Sequence, residues 1–222
     1  MSKSTKGLSL LLGLLIASPV FAADYNGLLS PSSLGQDINT LNSRYKLGLK
    51  KQEWGGYTNK ASESCKVDIT IDKNSKATLI ELSPNTENCR YKATTSGVSF
   101  DSRSSKIVDI LNQTKVENIQ FFPGCFNCPS GLELSDSLVI KRPQDKYYTE
   151  YGIEGYNSGY LEFMMTKLLG KVSQDNYYPM LDKLEAKLDA NPSLYNRKDF
   201  KLQAMKTYDL QGKPWNYAIG LK

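Results

Sequence analysis

Residues 67–82 read Val67-Asp68-Ile69-Thr70-Ile71, then Asp72-Lys73-Asn74-Ser75-Lys76, then Ala77-Thr78-Leu79-Ile80-Glu81-Leu82. Apolar and polar residues alternate, give way to a polar turn, and alternate again. This is the period-two pattern of two half-buried strands joined as a hairpin. Cys65 and Cys89 lie just outside its ends, where a hairpin brings the chain together. Their spacing predicts a bond that closes loop 65–89 and constrains the unfolded chain by about 3.5 kcal/mol.

Working outward from the hairpin, Leu34, Ile38, Leu41 and Tyr45 recur at helical spacing and predict a helix over residues 34–45. Residues 23–33 read as an irregular arm, 47–57 lead through a Trp and a Gly pair into the hairpin, and 91–100 add a third strand. Residues 106–114 read as a short helix, 116–122 as a strand, and 129–140 as a turn and a strand. Residues 159–172 are apolar around most of a helical circumference and predict a deeply buried helix. Over residues 177–190, Tyr178, Leu181, Leu184 and Leu188 share one helical face, and Asn191-Pro192 end it. Residues 200–210 and 215–221, separated by Gln211-Gly212-Lys213-Pro214, predict a terminal hairpin. The sum is an α+β, antiparallel β-rich single domain over residues 23–222, with three to four helices and two disulfides. No fixed-period repeat or long linker divides it. The interior helices argue against an outer-membrane barrel despite 14 tyrosines.

The chain has 222 residues, no histidine, 28 basic against 23 acidic residues, and 40% hydrophobic content. That composition is globular. Without imidazole there is no Ser-His-Asp or Cys-His nucleophile pair, no H-E-x-x-H zinc peptidase and no zinc deaminase signature. Residues 1–22 read as a signal peptide: Lys3 and Lys6 precede the apolar run 8–17, Pro19 breaks it, and cleavage is expected after Ala22. The run is half the length of about 20 residues that a membrane span needs. Removing Lys3 and Lys6 lowers the net charge from +5 to +3, and the remaining lysines form no stripe interleaved with aromatics, so nucleic acid is not an expected partner. The expected location is periplasmic or secreted, with no integral membrane segment after cleavage.

Export implies an oxidising compartment, so the four cysteines are expected to form two disulfides in one of three possible pairings, the local one joining Cys65 to Cys89 and Cys125 to Cys128. Cys125-Phe126-Asn127-Cys128 also permits a thiol-disulfide oxidoreductase, Cys125 attacking and Cys128 resolving. The residues that follow, Pro129-Ser130-Gly131 and onward, read as turn and strand rather than the helix that activates such a thiol. A clipped hairpin tip is the simpler reading. The four cysteines contain a single CxxC, where structural zinc sites show two, so no metal is expected.

Five tyrosines crowd residues 147–160, alternating with glycines and with Glu150 and Glu154. Tyrosine presents a flat apolar face and a polar tip, which suits recognition of protein or sugar; alternating tyrosines also fill cores. The expected function is non-enzymatic binding of a macromolecular partner, a secreted enzyme, envelope protein or glycan. Phe126, Asn127, Tyr147, Tyr148, Tyr151 and Tyr156 are the binding residues. A carboxylate-based glycan hydrolase drawing on Glu150, Glu154 or Asp145 is a further alternative. No phosphate loop is present, and no cofactor is expected. Asn112-Gln113-Thr114 matches the glycosylation sequon, a pattern frequent by chance.

Overall fold

The computed structural model describes residues 25–60, 63–123, 136–153 and 158–222. The expected signal peptide lies outside the described residues. The hairpin forms as read: β3 (Cys65–Ile71) and β4 (Ala77–Pro84) are antiparallel, with Val67 opposite Leu82 and Ile69 opposite Ile80. Asp72 closes the turn by accepting from the amides of Asn74 and Lys76 at 2.8 and 2.9 Å, and the Lys76 amide above all holds its carboxyl below the usual range. Cys65 and Cys89 form the expected disulfide.

The remaining strands are β1 (Lys50–Lys51), β2 (Tyr57–Thr58), β5 (Lys92–Thr95), β6 (Val98–Asp101), β7 (Ile119–Phe122), β8 (Asp136–Ile140), β9 (Tyr147–Ile153) and β10 (Tyr217–Leu221). Eight build one sheet in the order β1-β2-β3-β4-β10-β9-β8-β7, every neighbouring pair antiparallel. β5 and β6 form a separate hairpin, so residues 91–100 hold two strands where the sequence reading had one. The helices are α1 (Tyr25–Leu28), α2 (Ile38–Tyr45), α3 (Ile107–Leu111), α4 (Ser158–Leu169), α5 (Tyr177–Ala190) and α6 (Lys198–Thr207). The α+β class stands, with six helices among the described residues, four of them longer than one or two turns, as expected, and two, α1 and α3, of only four and five residues.

The end of the chain departs most from expectation. Residues 200–210 are not a strand; most belong to α6, whose Phe200 and Ala204, four residues apart, are fully buried on one face. The chain then passes α3, whose Ile107 and Val108 amides donate to the Gly212 and Leu210 carbonyls at 3.0 and 2.9 Å. It enters the sheet as β10, between β4 and β9, rather than pairing with residues 200–210. Tyr178, read as part of the buried face of α5, is 72% exposed; Met180, Leu181, Leu184 and Leu188 make that face.

One side of the sheet is the core. Val67, Ile69, Ile80, Leu82, Tyr217, Ile219, Tyr151, Leu138, Ile140 and Phe121 point inward and are fully buried, as strict alternation requires. The β5–β6 hairpin covers part of this side, its Phe100 stacked on Tyr217 at 5.5 Å and set edge-on to Tyr151 at 5.4 Å. Towards β7, Tyr208 stacks on Phe121 and donates to the buried carboxylate of Asp136. Lys201, almost wholly buried, donates to the carbonyls of Val116 and Glu117 at 3.1 Å each, and burial lowers the pKa of its amine. The short 3-10 helix Pro192–Asn196 meets the other side of β7, where Tyr195 packs on Phe122 and Asn196 accepts from Gln120. At the opposite end, β2 is too short to pair all of β3. The Asn59 side chain takes over, donating to the Cys65 carbonyl and accepting from the Val67 amide at 2.8 and 3.0 Å.

Two core hydroxyls are less well served. Thr149 Oγ1 and Tyr151 Oη are buried, and although Thr149 offers Tyr151 a polar neighbour, neither makes a hydrogen bond of good geometry among the described residues. An unmet buried hydroxyl costs more than its removal. Tyr151→Phe is therefore expected to leave stability unchanged or raise it by about 1 kcal/mol. Tyr217→Phe, which loses the bond to Thr95 Oγ1, should lower it by about the same amount. Thermal denaturation of both variants checks the pair, and a clear loss for Tyr151→Phe would show that its hydroxyl is partnered.

Candidate functional site

The outward-pointing side chains of the sheet fall into three parallel rows set by the strand register. The middle row runs Asp68, Glu81, Ala218, Glu150 and Val139 across β3, β4, β10, β9 and β8. One neighbouring row contains Thr70, Leu79, Gly220 and Tyr148. The other contains Lys66, Ser83, Gly152 and Ser137, with Asn216 between Ser83 and Gly152.

Three glycines on this side are each covered by an aromatic ring. A Cβ on Gly56 would fall inside the ring of Trp54, one on Gly152 would collide with the Trp215 indole and the Asn216 amide, and one on Gly220 would meet Tyr148 at 2.6 Å. A glycine within a strand often marks a close approach of another group, and here each lets a ring lie against the sheet. Trp54 stays 58% exposed and Trp215 37%. Trp54 also borders an open groove of about 310 Å³ lined by Lys66, Asp68, Thr70, Leu79 and Glu81.

The polar groups between the rings are held in place. Asn216 Nδ2 donates to Glu81 Oε1 at 2.7 Å, while its Oδ1 accepts from the Gly152 amide at 2.5 Å. Ser137 donates to Glu150 at 2.5 Å. Lys66 pairs with Asp68 at 2.7 Å. Burial, followed by the charges of Asp68 and Glu150, raises the Glu81 pKa against the opposing Asn216 hydrogen bond. Burial and then the Glu150 and Glu81 carboxylates raise the Tyr148 phenol. Because Glu81 holds its proton more tightly in the folded state, this stabilisation is complete below the ordinary glutamate range and is lost as pH rises through the raised pKa. Glu81→Gln keeps an acceptor for Asn216 without the charge. It is expected to melt higher than wild type at neutral pH, the gap closing towards about pH 4. A gap independent of pH would overturn the assignment.

Among the described residues, Tyr148 is the one sequence-predicted binding residue that this face displays. Tyr147 lies on the inner side of β9, packed against the core, with its hydroxyl accepting from the Ser96 amide at 3.4 Å. Tyr151 is fully buried among Phe100 and Tyr217, so it fills the core. Tyr156, Glu154, Phe126 and Asn127 lie outside the described residues, as do Cys125 and Cys128. β7 and β8, which flank the latter segment, do pair as a hairpin. Asp145 accepts from Ser96 and lies near Arg142, away from the acidic row. Sequence reading missed Trp54, Trp215, Glu81, Asn216 and Asp68; the two tryptophans and the strand glycines 152 and 220 were the available signal.

Among the described residues no cluster of acidic or cysteine side chains is arranged to hold a metal ion, and no helix is long and apolar enough to cross a membrane. No family model, no curated protein and no solved structure matches this chain.

Proposed function

We propose that this is an exported, non-enzymatic binding protein whose outer sheet face recognises a glycan. The observation that carries the reading is the trio of Trp54, Tyr148 and Trp215, each ring seated on a glycine and interleaved with Glu81, Glu150, Asp68 and Asn216. Sugar rings offer apolar C–H faces and hydroxyl edges. Flat aromatics pack on the former, and fixed carboxylates and amides accept from and donate to the latter. A protein partner is less well matched, because the middle of a protein interface is depleted in the charged side chains that cross this face. The buried disulfide and the Lys3 to Ala22 leader support an oxidising, extracytoplasmic location.

The test is intrinsic tryptophan fluorescence titrated with soluble polysaccharides. Trp54→Ala and Trp215→Ala are each expected to weaken binding about tenfold or more while the melting temperature stays near wild type. Unchanged affinity in both variants would overturn the reading.

A second reading keeps the site and adds chemistry. Glu81 and Glu150 flank Ala218 on alternate strands, which sets their Cα atoms about 10 Å apart by strand spacing. An inverting glycosidase needs its carboxyls about 6.5 to 9.5 Å apart, with the acid protonated, and the raised Glu81 pKa favours the acid role. Release of reducing ends, lost in Glu81→Gln and Glu150→Gln, would replace binding by hydrolysis.

A further inference from the structure

The spacing and charge of the outer face narrow the ligand, an inference that rests on the glycan reading above. Gly56, covered by Trp54, is one residue before β2 and in line with Thr70, Leu79 and Gly220, the last covered by Tyr148. Three strand spacings separate these two rings, about 14 Å. From Gly220 to Gly152, covered by Trp215, the path is one strand across and four residues along, again about 14 Å. The outer pair, Trp54 and Trp215, stand about 24 Å apart by the same spacings. One sugar cannot touch two of these rings, so a ligand that uses all three is a chain.

The ground between the rings sets the charge of that chain. Lys66 is taken by Asp68. Glu81 and Glu150 accept from the neutral groups of Asn216 and Ser137, and among the described residues neither has a cation within ion-pair distance. The overall charge of the protein is positive, so the acidic field is local to this face. It repels uronic-acid polymers and attracts amines. An amine lying between the Tyr148 and Trp215 rings gains from both the carboxylates and the ring faces.

We infer that the outer face binds an extended, amine-bearing polysaccharide, a hexosamine chain long enough to lie on Trp54, Tyr148 and Trp215 together. The two glutamates distinguish it from neutral chains, and the three rings distinguish it from short ones.

The experiment uses the mature protein and four probes: the glucosamine disaccharide and hexasaccharide, the N-acetylglucosamine hexasaccharide, and polygalacturonate. Binding is followed by tryptophan fluorescence and calorimetry. The glucosamine hexasaccharide is expected to bind at least about tenfold more tightly than the disaccharide, because linked contacts reinforce one another. It should exceed the acetylated hexasaccharide about fivefold, the effect of one exposed charge pair. That preference should fade with salt and be lost in a Glu81→Gln, Glu150→Gln double variant, while polygalacturonate does not bind. If the acetylated hexasaccharide binds equally well and still needs Trp54 and Trp215, the charge inference is overturned and the glycan reading survives. If the disaccharide matches the hexasaccharide, the extended-chain inference is overturned. If none of the probes, nor any neutral polysaccharide, binds, both inference and reading fall.

Discussion

A chain that stops at Pro214 is expected not to fold. The eight residues lost include β10, which separates β4 from β9 and donates to or accepts from both. Tyr217 and Ile219 are fully buried on its inner side. Truncating a buried aromatic costs about 3–5 kcal/mol and a buried isoleucine about 2–5 kcal/mol. These losses alone match much of the roughly 5–15 kcal/mol that holds a typical domain together. Two interior edges, β4 and β9, are then left with unpaired backbone groups. The rows of the outer face are cut as well, since Asn216, Ala218 and Gly220 form their centre. Circular dichroism and thermal melting of the truncated chain should show no cooperative transition. A near-native melt would mean that β4 and β9 can close on each other, contrary to the topology described above. Tyr217→Ala in the full chain supplies a milder check, with an expected loss of about 3–5 kcal/mol.

Removal of the Cys65–Cys89 bond is the second large effect. The two residues are 24 apart in sequence, with Cα atoms 4.8 Å apart, and releasing that loop frees about 3.5 kcal/mol of unfolded-state entropy. The bond also has a particular place in the core. Cys89 leads into Tyr91, whose ring packs on Phe100 and Tyr217, so the disulfide fixes the β5–β6 hairpin to the first hairpin where it covers the sheet. Cys65→Ala with Cys89→Ala, a pair that buries no new polar group, is expected to lower the denaturant midpoint by the equivalent of about 3.5 kcal/mol. Reduction of the wild-type protein should give a similar loss. If the double variant loses less than about 1 kcal/mol, the unfolded chain already holds these ends together.

These two features differed sharply in how visible they were in the sequence. The first hairpin and its disulfide were legible because Val67, Ile69, Ile80 and Leu82 alternate with polar residues around a compact turn, and all the information is local. Residues 177–190 were legible for the same reason at helical period, although Tyr178 was assigned to the wrong side. Residues 200–210 were misread because Phe200, Leu202, Tyr208 and Leu210 fit a strand as readily as a helix. Burial of Phe200, Lys201 and Ala204 on one face decides it, and Lys201 is a residue that pattern reading places in solvent. Nor could local pattern reveal that β10 inserts between β4 and β9. The outer face depended on that insertion, since Trp54, Glu81, Tyr148 and Trp215 come from four distant segments. The tyrosine-rich stretch drew attention to β9, but alternation sends Tyr147 and Tyr151 inward and Tyr148 outward; composition alone does not tell them apart.

The Asn59 side chain has a bearing on how copies of this protein behave towards one another. An open sheet invites a second chain to add a strand along its border, the route to polymers and fibrils. At the β7 end, Pro192–Asn196 packs on the outer face beside the border, and Lys201 ties down the turn that leads into it. The other border ends in two exposed lysines, Lys50 and Lys51. Behind them, the stretch of β3 that β2 leaves uncovered is already engaged by a carboxamide imitating a peptide group. At that end of the eight-stranded sheet, the lysines and the carboxamide together disfavour the addition of a strand from a second copy.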